Sequence, residues 1–162
     1  MKLLYTLIAL CFALSAQGQN DELIDPRYSE IRQVIDSLFE GMRTSDSTLV
    51  FSLFRNDATL KSVSRDKRTK EVVVYEENLG EFLIAIGTPK DDLWDERISN
   101  VILHIDEVFA QVWMDYEFYL NDQFSHCGVN SFQLIKGDNG WKILNITDTR
   151  KRNECDEIKS RE

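Results

Sequence analysis

His126 and Asp148 are the residues best suited by type to move a proton: one of only two histidines in the chain, and a carboxylate two positions before Arg150. An imidazole can take and return a proton while a carboxylate fixes its tautomer, with Tyr116 or Asn130 donating to a developing oxyanion. The same residues admit a structural reading. Asp148 and Arg150 fall on one face of a strand and can pair at its end, with Asn130 satisfying the carboxylate. His126 stands four positions along its strand from Asn130, the residue expected opposite Asp148, so direct contact needs help from strand twist. The sequence leaves both readings open.

Other chemistry has less support. The chain has no histidine–glutamate zinc motif, paired Cys-x-x-Cys, phosphate loop or Gly-x-Ser-x-Gly elbow. His104-Ile105-Asp106 has a spacing that could begin a metal site, but matching Val101 with Val112 and Leu103 with Ala110 turns His104 outward, away from His126. Neither a metal nor a cofactor is expected. Cys127 follows His126 directly, so strand alternation sends the two to opposite faces and they form no nucleophile–base pair. In an oxidising compartment the partner of Cys127 is Cys155, reached if the chain curls back at Asn153. Asn145-Ile146-Thr147 matches a glycosylation acceptor only as a pattern, because it sits inside a strand.

The first residues set that compartment. Lys2, the apolar run Leu3 to Leu14 and the small residues around Ser15 to Gly18 form a secretory leader, residues 1–18, cut after Gly18. Leu10 before Cys11 argues against a lipid anchor there. No later run is long and apolar enough to span a bilayer, so membrane insertion is not expected. The net charge of −9 repels phosphate backbones, which argues against nucleic acid as a partner. The remaining chain suits one core: an arm over 19–28, a single domain over 29–150 and a polar tail over 151–162.

Several elements must position the candidate residues. Ile31, Val34, Ile35, Leu38, Phe39 and Met42 recur at helical spacing behind Asp25-Pro26, predicting a helix from Pro26 to Thr44. A short helix follows Asp46-Ser47, and a third carries Leu79, Phe82, Leu83 and Ile86. Two short strands, near Ala58–Val63 and Glu71–Tyr75, lie between them. From Asp95 to Arg150 the chain alternates as strands.

Those strands can be registered. Asp138-Asn139-Gly140 suits a three-residue hairpin loop that sets Gly137 opposite Trp141 and Leu134 opposite Leu144, with Phe132 facing Ile146. A loop at Asn121-Asp122-Gln123 sets Val112 opposite Phe132 and Ala110 opposite Leu134. One face then collects Ala110, Val112, Phe132, Leu134, Leu144 and Ile146 as core, and continues as Met114, Tyr116, Phe118, His126, Asn130, Asp148 and Arg150. An apolar floor grading into polar groups is the lining of a ligand pocket. The other face carries Phe109, Trp113, Ile135, Ile143 and Ile102, more apolar surface than a monomer needs, and predicts a homodimer.

Three helices interrupted by two short strands and followed by four long antiparallel ones resemble the nuclear transport factor 2-like superfamily, over roughly Ser29 to Arg150. Ala110-Gln111-Val112 and Gly140-Trp141-Lys142-Ile143 are similar to its secreted lumazine-binding or polyketide-cyclase-like branch. The resemblance implies an α+β cone: a curved antiparallel sheet of about four long strands plus two short ones, wrapped around N-terminal helices. It does not choose a function. The expectation is a secreted or periplasmic domain binding a small, partly apolar molecule. The alternatives are a small acid–base enzyme of dehydratase, isomerase or hydrolase type using Asp148 and His126, and an interaction module whose cone is filled by its own side chains.

Overall fold

The computed structural model describes residues 25–89, 92–153 and 155; the expected leader and cleavage site, and most of the arm, lie outside the described residues. Helix α1 spans Pro26–Thr44. The Asp25 side chain caps it by accepting from the Arg27 backbone N–H at 3.0 Å, with Pro26 in the first turn. Its stripe of Ile31, Ile35, Leu38, Phe39 and Met42 is buried. Helix α2 is Ser47–Leu53, capped by Asp46. Helix α3, Leu79–Gly87, comes after strands β1 (Phe54–Arg65) and β2 (Val72–Glu77). The remaining strands are β3 (Trp94–Ile105), β4 (Phe109–Leu120), β5 (Gln123–Gly137) and β6 (Gly140–Thr149). Among the described residues no helix is long and apolar enough to cross a membrane.

One six-stranded sheet runs in the order β2-β1-β6-β5-β4-β3. All neighbours are antiparallel except β1 and β6, which run parallel with Val63 beside Thr149, so the sheet is mixed. The helices cover one face. Phe39 of α1 meets Phe132 of β5 edge-on, and Phe82 of α3 meets Phe54 in the same way, joining the helical layer to the floor of the sheet. The result is the expected α+β cone, open at one end.

Between β4 and β5 the expected register holds: Val112 faces Phe132, Ala110 faces Leu134 and Phe118 faces His126. The turn is tighter than expected, with only Asn121 and Asp122 in the loop, both left-handed at φ 52° and 60°. That shifts the pairing by one near the turn, and the slip is absorbed between His126 and Phe124.

The β5–β6 hairpin differs in the same way, and here one expectation is overturned. Its loop is Asp138-Asn139 alone, Gly137 faces Gly140, and Gly140 takes φ 87°. Near the turn, Leu134 therefore pairs with Ile143, not Leu144; beyond the irregularity Phe132 faces Ile146 as expected. Ile143 points into the core at 0% exposure and cannot form part of an outer interface. Trp141 is turned inward with it. Its indole N–H donates to Glu30 at 3.0 Å, and Lys136 pairs with the same carboxylate.

From Ile102 to Ile105 the β3–β4 register lies two residues away from that expected, and a bulge between Ser99 and Ile102, with Asn100 at φ 50°, reduces the offset to one beyond it. Leu103 rather than Val101 faces Val112. Because the offset is even, His104 keeps its outward face, opposite Gln111, and is exposed.

Candidate functional site

Among the described residues the cone surrounds an open cavity of about 1750 Å³. Leu38, Phe39 and Met42 of α1, Phe82 of α3, and Phe132 and Ile146 of the sheet line its apolar part. Tyr116, Phe118, His126, Asn130, Asp148 and Arg150 line it too, and the registers above bring them together from β4, β5 and the end of β6. Met114, on the same face, lies beneath the floor at 0% exposure and belongs to the core.

Asp148 and His126 share the cavity without a hydrogen bond between them. The Asp148 carboxylate accepts from Arg150 Nε at 2.8 Å, and the Tyr116 hydroxyl lies 3.2 Å from it and 2.9 Å from the Thr149 carbonyl. His126 packs on aromatic rings, 4.9 Å from Phe118 and 5.7 Å from Tyr116 between centroids, and its Nδ1 meets the Ser125 hydroxyl at 3.1 Å. Burial, aided by the Arg150 charge, lowers its pKa to about 4, so the ring is neutral near pH 7. Burial also pushes the Tyr116 phenol up, with Asp148 adding to the effect. The ion pair at the strand end is thus the arrangement found, with Tyr116 as its third member.

Asn130 does not serve Asp148, although the two are paired across β5 and β6. Its amide donates instead to Glu96 at 2.6 Å. Glu96 escapes notice in the sequence, where it sits inside the charged run Asp95-Glu96-Arg97. The signal was the alternation: Trp94, Glu96 and Ile98 share one side of β3, and Glu96 faces Phe118 of the cavity wall. Asp95 and Arg97 point the other way and pair with each other at 2.7 Å. Burial raises the Glu96 carboxyl to about 7, opposed by the Asn130 hydrogen bond; Asp148 raises it further and Arg150 lowers it. Two of the carboxyls lining the cavity therefore stand in opposite circumstances, Asp148 with a cation and Glu96 without one among the described residues.

Cys127 lies on the opposite face from His126 and is fully buried. It is bonded to Cys155, 28 residues on, and a backbone bridge to Lys151 brings the tail alongside. Gly128 makes this possible. A Cβ there would lie 1.7 Å from the Thr149 carbonyl oxygen and 2.9 Å from the Tyr116 ring.

No protein-family model matches the sequence, and no curated protein matches it. Solved structures do. An NTF2-like protein of unknown function from Shewanella baltica superposes with a TM-score of 0.57 at 16% identity, over 78% of this chain and 94% of the other. An NTF2-like protein with a cystatin-like fold from Novosphingobium aromaticivorans gives 0.62 at 10% identity, over 83% and 88%. The chain has the nuclear transport factor 2-like fold. A third structure with this fold, from the same Novosphingobium species and provisionally named a scytalone dehydratase, gives 0.61 at 14% identity, over 78% and 85%. At these identities the likeness concerns architecture alone.

Proposed function

We propose that this protein binds a small, partly apolar molecule inside its cone. The observation that carries the reading is the cavity itself: an apolar end made by Leu38, Phe39, Phe82, Phe132 and Ile146, and convergent polar groups on Tyr116, His126, Asn130, Glu96 and Arg150. The Cys127–Cys155 bond supports a secreted or periplasmic setting, with residues 1–18 as a cleaved leader and 29–150 as the binding domain. The exposed Trp113 and Phe109, at 43% and 39%, support a homodimer through the outer sheet face.

The test is a titration of the isotopically labelled protein with 1-octanol, read from backbone amide chemical shifts. Saturable shifts at Phe118, Asn130 and Ile146 are expected. Absence of saturable shifts there, or saturable shifts on the outer face instead, would overturn the reading.

A second reading, acid–base catalysis, draws on Glu96 rather than on the Asp148–His126 pair. A carboxyl held near neutrality beside an apolar cavity can give or take a proton at physiological pH. The dehydratase name of one similar structure points the same way. Turnover lost in Glu96→Gln and retained in His126→Gln would favour it.

A further inference from the structure

We propose that the molecule taken by the cone is an amphipathic anion whose headgroup is held by the guanidinium of Arg150; this rests on the binding function proposed above. Arg150 is fixed from one side only. Its Nε donates to Asp148, which Tyr116 also holds, whereas among the described residues its two terminal nitrogens have no hydrogen-bond partner. Arg150 lines the cavity. An arginine anchored through Nε presents its remaining N–H groups as a preset donor fork, the geometry that suits a carboxylate or phosphate.

The surrounding field has the same sign. The parallel pairing of β1 with β6 puts Val63 beside Thr149, and the Arg150 N–H donates to the Val63 carbonyl at 3.1 Å. The run Arg150-Lys151-Arg152, just past the end of β6, therefore lies next to the segment beyond Val63 that carries Arg65, Lys67 and Lys70. These six of the chain's 19 Lys and Arg residues all line the one cavity. Among the described residues lining the cavity at that edge, the acids are Asp148, paired with Arg150, and Asp66, whose carboxylate is turned back on the Arg68 and Thr69 amides. A chain of net charge −9 has thus gathered cations at the opening of its pocket, where a low-dielectric wall focuses the field on an entering anion.

Three further acids work against this field. Glu77, Asp92 and Glu96 also line the cavity, and ionised they would oppose an anion; the Asp92 carboxylate accepts from the Asn121 amide at 2.6 Å. Burial raises the Glu77 and Glu96 carboxyls, and Glu96, lifted to about 7, is only partly ionised near neutral pH, which reduces its opposition. The apolar lining beyond them takes the body of the ligand.

Four probes sharing one chain separate this inference from the one it rests on: octanoate, octyl phosphate, 1-octanol and octylammonium, each titrated against the full protein at low and high salt. Both anions are expected to bind about tenfold more tightly than octanol at low salt, and octylammonium more weakly than octanol. The tighter of the two anions identifies the head. Arg150→Gln should bring the anion-to-octanol ratio close to one. Because that change strips Asp148 of its partner, Lys67→Glu/Arg152→Glu, which leaves the ion pair intact, should lower the ratio severalfold and weaken its salt dependence. Octanol binding as well as the anions, or octylammonium binding best, would overturn the anion inference and leave the binding function standing. Binding of none of the four would remove both.

Discussion

Asn130 of β5 donates to Glu96 of β3 at 2.6 Å, reaching over the strand that separates them. This bond holds one carboxylate oxygen while burial disfavours the charge, and the carboxyl rises from 4.5 to about 7. The folded state then binds more protons than the unfolded state between those values, so this group costs stability as pH rises through the window. Glu96→Gln keeps an acceptor for Asn130 and removes the charge. It should raise stability at pH 8 by about 1–3 kcal/mol, allowing for residual solvent, and change it little at pH 4. Denaturant unfolding of both proteins at the two pH values measures this; equal differences at pH 4 and 8 would refute it.

The Cys127–Cys155 bond closes a loop with a sequence separation of 28 residues. On the chain-entropy estimate a loop of this size is worth about 3–4 kcal/mol. Cys155→Ser should lower the denaturation midpoint by the corresponding amount and leave the cavity unchanged. Thiol titration of the non-reduced protein should find neither cysteine free, and two reactive thiols would reject the bond.

Gly128→Ala tests the close approach that the bond exploits. The added methyl carbon would sit 1.7 Å from a backbone oxygen, which no rotamer change relieves. A loss of about 2–4 kcal/mol is expected, because β6 must move away from β5. Displacing β6 also moves Asp148 and Arg150, so octanoate binding should fall with it. A variant as stable as the parent by thermal unfolding would show that the strands have room.

Much of the cone was legible because its determinants are periodic. The α1 stripe from Ile31 to Met42 and the alternation of Val112 with Met114 or Phe132 with Leu134 encode burial directly. The parity of strand pairing also survived errors of register: His104 faces outward although its neighbours pair two residues away from the expected positions. Turn length was less legible. Asp138-Asn139-Gly140 and Asn121-Asp122-Gln123 admit two-residue or three-residue loops, and the shorter choice turned Ile143 into the core. Glu96 was hidden by its context, since a charged residue between Asp95 and Arg97 looks like solvated surface until Phe118 is known to face it.

The outer face retains Phe109, Trp113 and Ile102 as exposed apolar groups, with Ile135 half-buried beside Phe109. Trp113 stands opposite Ile102, so the patch is continuous across β3 and β4. If a second copy covers it, Trp113→Glu would bury a charge without a partner and yield a monomer in sedimentation. A parent protein that is already monomeric at high concentration would contradict the dimer.

The segment from His126 to Asn130 places its residues on two faces with different duties. His126 and Asn130 face the cavity, where the imidazole packs on Phe118 and Tyr116 and the amide holds Glu96. Cys127 is buried on the other side with Cys155. Strand alternation therefore predicts separable phenotypes. His126→Ala should weaken 1-octanol binding roughly threefold to tenfold, the effect of removing part of an apolar wall, with little change in overall fold. Cys127→Ser should do the reverse, costing stability while preserving octanol affinity. Amide chemical-shift titrations for binding and urea unfolding for stability separate the two. Unchanged octanol affinity in His126→Ala, or a Cys127→Ser protein that loses affinity while keeping its stability, would show that the division of the strand between cavity and disulfide is wrong.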